Sequence, residues 1–175
     1  MVRQVVRYIT TSRSFDFYRF APNPTSTITD SWCAANSRSP TVLLPPHSAP
    51  LDLKFGLNSD SNLYIGMHGS VNSPTPVGYK VVAVPGKFSA GSWAPSGSLV
   101  QTKATSTDVL TNANTTACTG TSGLSFSLHS SSLFSNESPF LGCFRPVGLA
   151  FSGNGKNLYI SSDVTGEVFR LTKTN

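Results

Sequence analysis

Cys143-Phe144-Arg145-Pro146-Val147-Gly148-Leu149-Ala150-Phe151, continuing to Leu171, decides how the rest of the chain is read. Val147, Leu149 and Phe151 alternate with the small Gly148 and Ala150, which gives a strand with one bulky face and one that packs closely. Gly153-Asn154-Gly155-Lys156 is a turn cluster, and Asn157-Leu158-Tyr159-Ile160-Ser161-Ser162 reads as a second strand. Asp163-Val164-Thr165-Gly166 turns the chain again, into a third strand over 167–171.

The same unit occurs earlier. Pro50-Leu51-Asp52-Leu53-Lys54-Phe55 matches residues 146–151, Asn62-Leu63-Tyr64-Ile65 matches 157–160, and Gly78-Tyr79-Lys80-Val81-Val82 matches the last strand. Repeated antiparallel meanders point to an all-β fold, a partial β-propeller of about two blades. Leu51, Leu53 and Phe55 are expected to form the buried face of an inner strand. Residues 96–103 are read as a fourth, outer strand. Residues 1–40 look linker-like and outside the propeller, 41–175 form the propeller domain, and about 104–142 is a Ser/Thr/Asn-dense surface insertion.

Composition agrees with a β-rich globular chain. Hydrophobic residues make up 38%, charged residues only 12%, and mean hydropathy is −0.05. No apolar run approaches a membrane span, so no membrane partner is expected. The net charge of +5 is concentrated at the start, where the first forty residues hold five Arg and two Asp. No basic stripe with interleaved aromatics follows, so no nucleic-acid partner is expected either. The Arg-rich, acid-poor beginning lacks a secretory apolar core and does not read as the native start of a folded domain.

Blade geometry sets the candidate site. In a propeller, the loop leading into the innermost strand and the loop joining the second and third strands share one rim. The first kind of loop carries His47 and Arg145; the second carries His68 with Asn72, and Asp163. The repeat puts His68 and Asp163 at equivalent positions. Asp163 is expected to cap its own turn. No Cys/His spacing suits a metal, so no metal-ligating residue is assigned.

PPHSAPLDLKF (residues 45–55), LYIGMHGSVNSPTPVGYKVVAVP (63–85) and GCFRPVGLAF…LYISSDVTGEVFRL (142–171) resemble the C-terminal third of the glucose/sorbosone dehydrogenase family. The similarity is greatest to fungal pyranose (sorbosone) dehydrogenases that use pyrroloquinoline quinone (PQQ). The family fold is a six-bladed propeller. The resemblance implies a sugar substrate, PQQ with Ca²⁺, an electron-acceptor domain in the complete gene product, and secretion. PQQ carries three carboxylates, which call for cationic partners. By resemblance Arg145 faces the cofactor, and His68, His47 and Asn72 line its site. The family's proton-abstracting His lies in blades outside this stretch, so the catalytic base is unknown here.

Cys118 and Cys143 bracket the insertion, and the family carries a comparable pair. The resemblance therefore implies a Cys118–Cys143 disulfide; two free thiols are the alternative in a reducing compartment. Where the family has Trp and a basic residue in its GSWNR-like segment, this chain has Val71 and Ser73. The resulting expectation is a truncated or fragmentary PQQ-dependent sugar dehydrogenase, inactive as this chain alone and prone to self-association through open sheet edges. The alternative is a non-catalytic, propeller-derived module that binds carbohydrate or protein.

Overall fold

The computed structural model describes residues 27, 29–36, 40–70, 73, 75–118 and 143–174. A short helix α1 (Asp30–Asn36) precedes the sheets. The first meander comprises β1 (Pro50–Phe55), β2 (Leu63–Met67) and β3 (Lys80–Val84). A separate hairpin follows, of β4 (Gly86–Ser89) and β5 (Ser92–Pro95). Helix α2 (Thr102–Thr105) leads into β6 (Thr107–Thr111), and the second meander is β7 (Pro146–Phe151), β8 (Asn157–Ser162) and β9 (Val168–Thr172). All pairings are antiparallel, in the orders β1-β2-β3-β6 and β7-β8-β9. These are two blades of a β-propeller, as the repeat implies.

The repeat extends to a defect in the ladder. The register slips between Pro50 and Asp52 in β1, and between Pro146 and Gly148 in β7. Each slip follows a proline at the strand's first residue, where a missing N–H costs least.

The two sheets bury a common core. Val81 from the first meets Phe144, Leu149, Leu158 and Ile160 from the second, with Tyr64, Phe151 and Phe169 at its margin. Asp52 joins the blades directly: its Oδ2 accepts the Leu149 amide at 2.7 Å. On the far side of the first sheet, Leu63, Ile65, Met67, Val82 and Val84 are covered by Val42, Leu44 and Trp93. Thr102 holds this cover in place, accepting the Leu43 amide at 2.9 Å.

Three expectations are corrected. Leu51, Leu53 and Phe55 share a face, but they are 55%, 47% and 36% exposed. Alternation tells which side chains share a face, not whether anything packs on it. Residues 96–103 do not form the outer strand. Ser98 and Gln101 form a capping box there, starting a 3-10 turn (Leu99–Gln101) that runs into α2. The fourth strand is instead Thr107–Thr111, inside the stretch read as a surface insertion. Its β-branched Thr107, Val109 and Thr111 suit a strand, a signal hidden among the surrounding Ser, Thr and Asn.

Candidate functional site

The rim where the two blades meet is built on Tyr79, Arg145 and His68. Tyr79 is fully buried, just before β3, with φ at 58°. Its ring lies flat against Gly69, where any Cβ would come within 2.7 Å of the ring carbons. Gly69 itself has φ of +102°, so backbone conformation and space both require glycine. The Tyr79 hydroxyl donates to the Ser70 carbonyl, and the Cys118–Cys143 disulfide packs beside it.

Arg145 sits just ahead of β7 and is 2% exposed. Its amide donates to Ser162 Oγ at 3.1 Å. Its guanidinium carbon is 4.6 Å from the centroid of the Tyr79 ring, a cation–π distance. Nη2 donates to the Tyr79 hydroxyl at 3.1 Å, and Nη1 reaches His68 Nδ1 at 3.4 Å. His68 Nε2 lies 3.1 and 3.2 Å from the two Asp163 oxygens. The line Tyr79–Arg145–His68–Asp163 therefore crosses from one blade to the other.

Its polarity follows from donor arithmetic. A guanidinium only donates, so His68 Nδ1 accepts. The ring proton is then on Nε2, donated to Asp163. Asp163 thus spends its carboxylate on His68 and not on its own turn, which corrects the capping expectation; in that turn Thr165 donates to Ser162 Oγ at 2.7 Å.

Asn112, at the end of β6, was missed by sequence reasoning. Its Nδ2 donates to the carbonyls of Tyr79 (3.0 Å) and Phe144 (3.1 Å), and its Oδ1 accepts the Phe144 amide at 2.9 Å. One amide side chain thereby fixes the positions of both Tyr79 and the segment bearing Arg145. An Asn in an Asn/Thr-dense stretch carries no signal that could have singled it out.

The structure brings Arg145, His68 and Asp163 together. His47 lies exposed in the turn before β1, with φ at 62°. Asn72 and Val71 lie outside the described residues. Ser73 is buried, and its hydroxyl donates to the Thr75 carbonyl at 2.7 Å, so it serves its own loop. The Cys118–Cys143 disulfide is formed.

A two-bladed propeller segment with a buried arginine at its rim is matched over residues 8–174 by the TrAA12-like family model, and the chain belongs to that family. It is 49% identical over 155 residues to a pyrroloquinoline quinone-dependent pyranose dehydrogenase of Coprinopsis cinerea, covering 88% of this chain and 19% of that protein. It is 29% identical over 152 residues to a pyrroloquinoline quinone-dependent sugar dehydrogenase of Hypocrea jecorina, covering 87% of this chain and 27% of that protein. Among solved structures, the holo pyranose dehydrogenase PQQ domain from Coprinopsis cinerea superposes with a TM-score of 0.68 at 48% identity, over 85% of this chain and 32% of that one. A calcium structure of the Trichoderma reesei AA12 enzyme gives 0.63 at 32% identity, over 88% of this chain and 31% of that one. The chain thus spans between a fifth and a third of the relatives it matches.

The described residues do not by themselves fit PQQ. Among the described residues Arg145 is the only guanidinium in the rim cluster, and one N–H of each terminal nitrogen is directed to Tyr79 or His68. Among the described residues no group of three or more His, Cys, Asp or Glu could hold a metal ion.

Proposed function

We propose that this chain is a truncated or fragmentary part of a PQQ-dependent sugar dehydrogenase. Its rim would form one wall of the site that oxidises a pyranose or sorbosone-type sugar, and the chain is inactive alone. The observation that carries this reading is the buried Arg145, pre-aligned by Tyr79 and pointing one nitrogen at His68, in a chain 48% identical to a PQQ domain over 85% of its length. Preorganised, desolvated donors of this kind suit an anionic ligand. That this chain covers 32% of the solved PQQ domain supports inactivity in isolation. PQQ, Ca²⁺ and an electron-acceptor partner belong to the complete enzyme in this reading. The disulfide supports secretion, because such bonds persist in oxidising compartments. No helix among the described residues is long and apolar enough to cross a membrane.

Complementation tests the proposal. The earlier blades of the Coprinopsis cinerea enzyme are mixed with this chain, and PQQ-dependent pyranose oxidation is assayed. Activity that appears only in the mixture, and falls at least tenfold with Arg145→Ala, is expected. This chain alone should show no calcium-dependent, saturable PQQ fluorescence quenching. Activity of the chain alone would overturn the inactivity, and a mixture indifferent to Arg145 would overturn the rim assignment.

Ser73 favours a second reading, a non-catalytic module binding carbohydrate or protein. Turned inward and bonded to its own loop, it supplies no cation at the position where the family resemblance expects one. Glycan-array binding by the isolated chain, with no activity in the complementation assay, would select it.

A further inference from the structure

The segment that follows β6 is pinned at both ends. Asn112 is turned inward, where its amide holds the Tyr79 and Phe144 carbonyls. Cys118 is 2% exposed and fixed by its disulfide. Between these pins the chain rises to the surface. Ala113 and Asn114 are exposed, and the 3-10 turn Thr115–Cys118 carries the chain back inward. Asn114 is therefore at the crest of a short loop held at both feet.

Asn114-Thr115-Thr116 is an acceptor sequence for N-linked oligosaccharide, with threonine in its third position and no proline in its second. Asn112 lacks that hydroxyl residue, because Asn114 stands two places on. Asn23-Pro24-Thr25 is disqualified by its proline, and Asn136-Glu137-Ser138 lies outside the described residues. The Cys118–Cys143 bond points to the right compartment. Such a bond forms in the oxidising secretory lumen, where oligosaccharide is also attached to asparagine.

We propose that Asn114 carries an N-linked glycan. This inference rests on the secretion that the proposed function includes. In the transfer, Asn114 Nδ2 forms a bond to C1 of the first N-acetylglucosamine of a lipid-linked oligosaccharide pyrophosphate. The C1–O bond to the pyrophosphate breaks, the lipid pyrophosphate leaves with the bonding pair, and Nδ2 gives up one proton. Nothing is oxidised or reduced. The product is bulky and hydrated, so it needs a solvent-facing crest. It would not fit at Asn112, whose amide is spent on Tyr79 and Phe144. A glycan at Asn114 keeps this outer corner of the first blade in solvent, while Asn112 beside it holds the rim.

The test is expression of the full 175-residue chain behind a secretory leader in yeast, with intact mass measured before and after peptide N-glycanase digestion. The leader delivers the chain to the lumen whatever its native route, so failure here counts against the glycan and not against the dehydrogenase reading. The wild type is expected above its 18.6 kDa polypeptide mass and should lose mass on digestion, with heavy-oxygen water leaving labelled aspartate at position 114. Asn114→Gln and Thr116→Ala should each abolish that loss, and Thr116→Ser should retain it. Reaching one result through different side chains separates lost modification from misfolding, and far-UV circular dichroism checks the fold. A wild type unchanged by digestion overturns the proposal. So does a loss that survives both Asn114→Gln and Thr116→Ala, which would place the glycan elsewhere. Absence of the chain from its native host's culture medium would overturn secretion, and with it the native glycan, whatever the yeast result.

Discussion

Arg145 and Tyr79 hold each other in two ways at once: the guanidinium stacks at 4.6 Å on the ring, and its Nη2 donates to the hydroxyl at 3.1 Å. Lysine is a point charge and cannot stack, reach Tyr79 and reach His68 together. Arg145→Lys is therefore expected to destabilise the chain by about 1–3 kcal/mol, the cost of leaving buried partners unsatisfied. Urea unfolding measures it; an unchanged midpoint would mean the network contributes nothing to stability.

Asp52 predicts behaviour in acid. Burial pushes its carboxyl up, but the Lys54 ammonium and the Leu149 and Leu53 amides outweigh it and hold the group below the usual 3.8. A depressed folded value means stability that is present above the unfolded pKa and lost as pH falls through the folded one. Asp52→Asn should flatten the pH dependence of the urea midpoint below about pH 4.

Tyr64 predicts behaviour in alkali. Burial, together with the hydrogen bond to Asp60 and its negative charge, pushes the phenol up to about 12 from the usual 10.0. The raised value favours the neutral phenol in the fold. Its contribution is complete below 10.0 and is lost as pH rises to about 12. In Tyr64→Phe that segment of the stability profile should flatten, and the late tyrosinate absorbance step of the wild type should vanish.

Much of this was legible in the sequence because the two meanders repeat. The alternation in 146–151 and 157–162, with Gly and Asn turns between, located the inner two strands of the second blade and their partners in the first. The rim followed, since His68 and Asp163 occupy equivalent loops after the second strands and Arg145 lies in an entry loop on the same rim. What escaped depends on distant packing. The exposure of Leu53 reflects what does not cover it, and the role of Asn112 depends on two carbonyls brought together only by the fold.

The Cys118–Cys143 bond closes a loop with a sequence separation of 25. Chain entropy assigns such a crosslink about 3 kcal/mol. The double variant Cys118→Ser/Cys143→Ser should lose roughly that amount in urea, and more Tyr79 surface should become accessible, because the disulfide packs on that residue. A loss under about 1 kcal/mol would show that the unfolded chain is already restrained.

The paired bulges at Pro50/Asp52 and Pro146/Gly148 act as slip joints. Past each one, a strict two-residue alternation locks every side chain to its face, so a one-residue length change there would turn the strand inside out. Ahead of each one, the ladder has already absorbed an odd residue, and a further gain or loss would re-aim only the loop. Divergence among relatives can therefore rewrite how the segments bearing His47 and Arg145 approach the rim while leaving the blade interiors untouched.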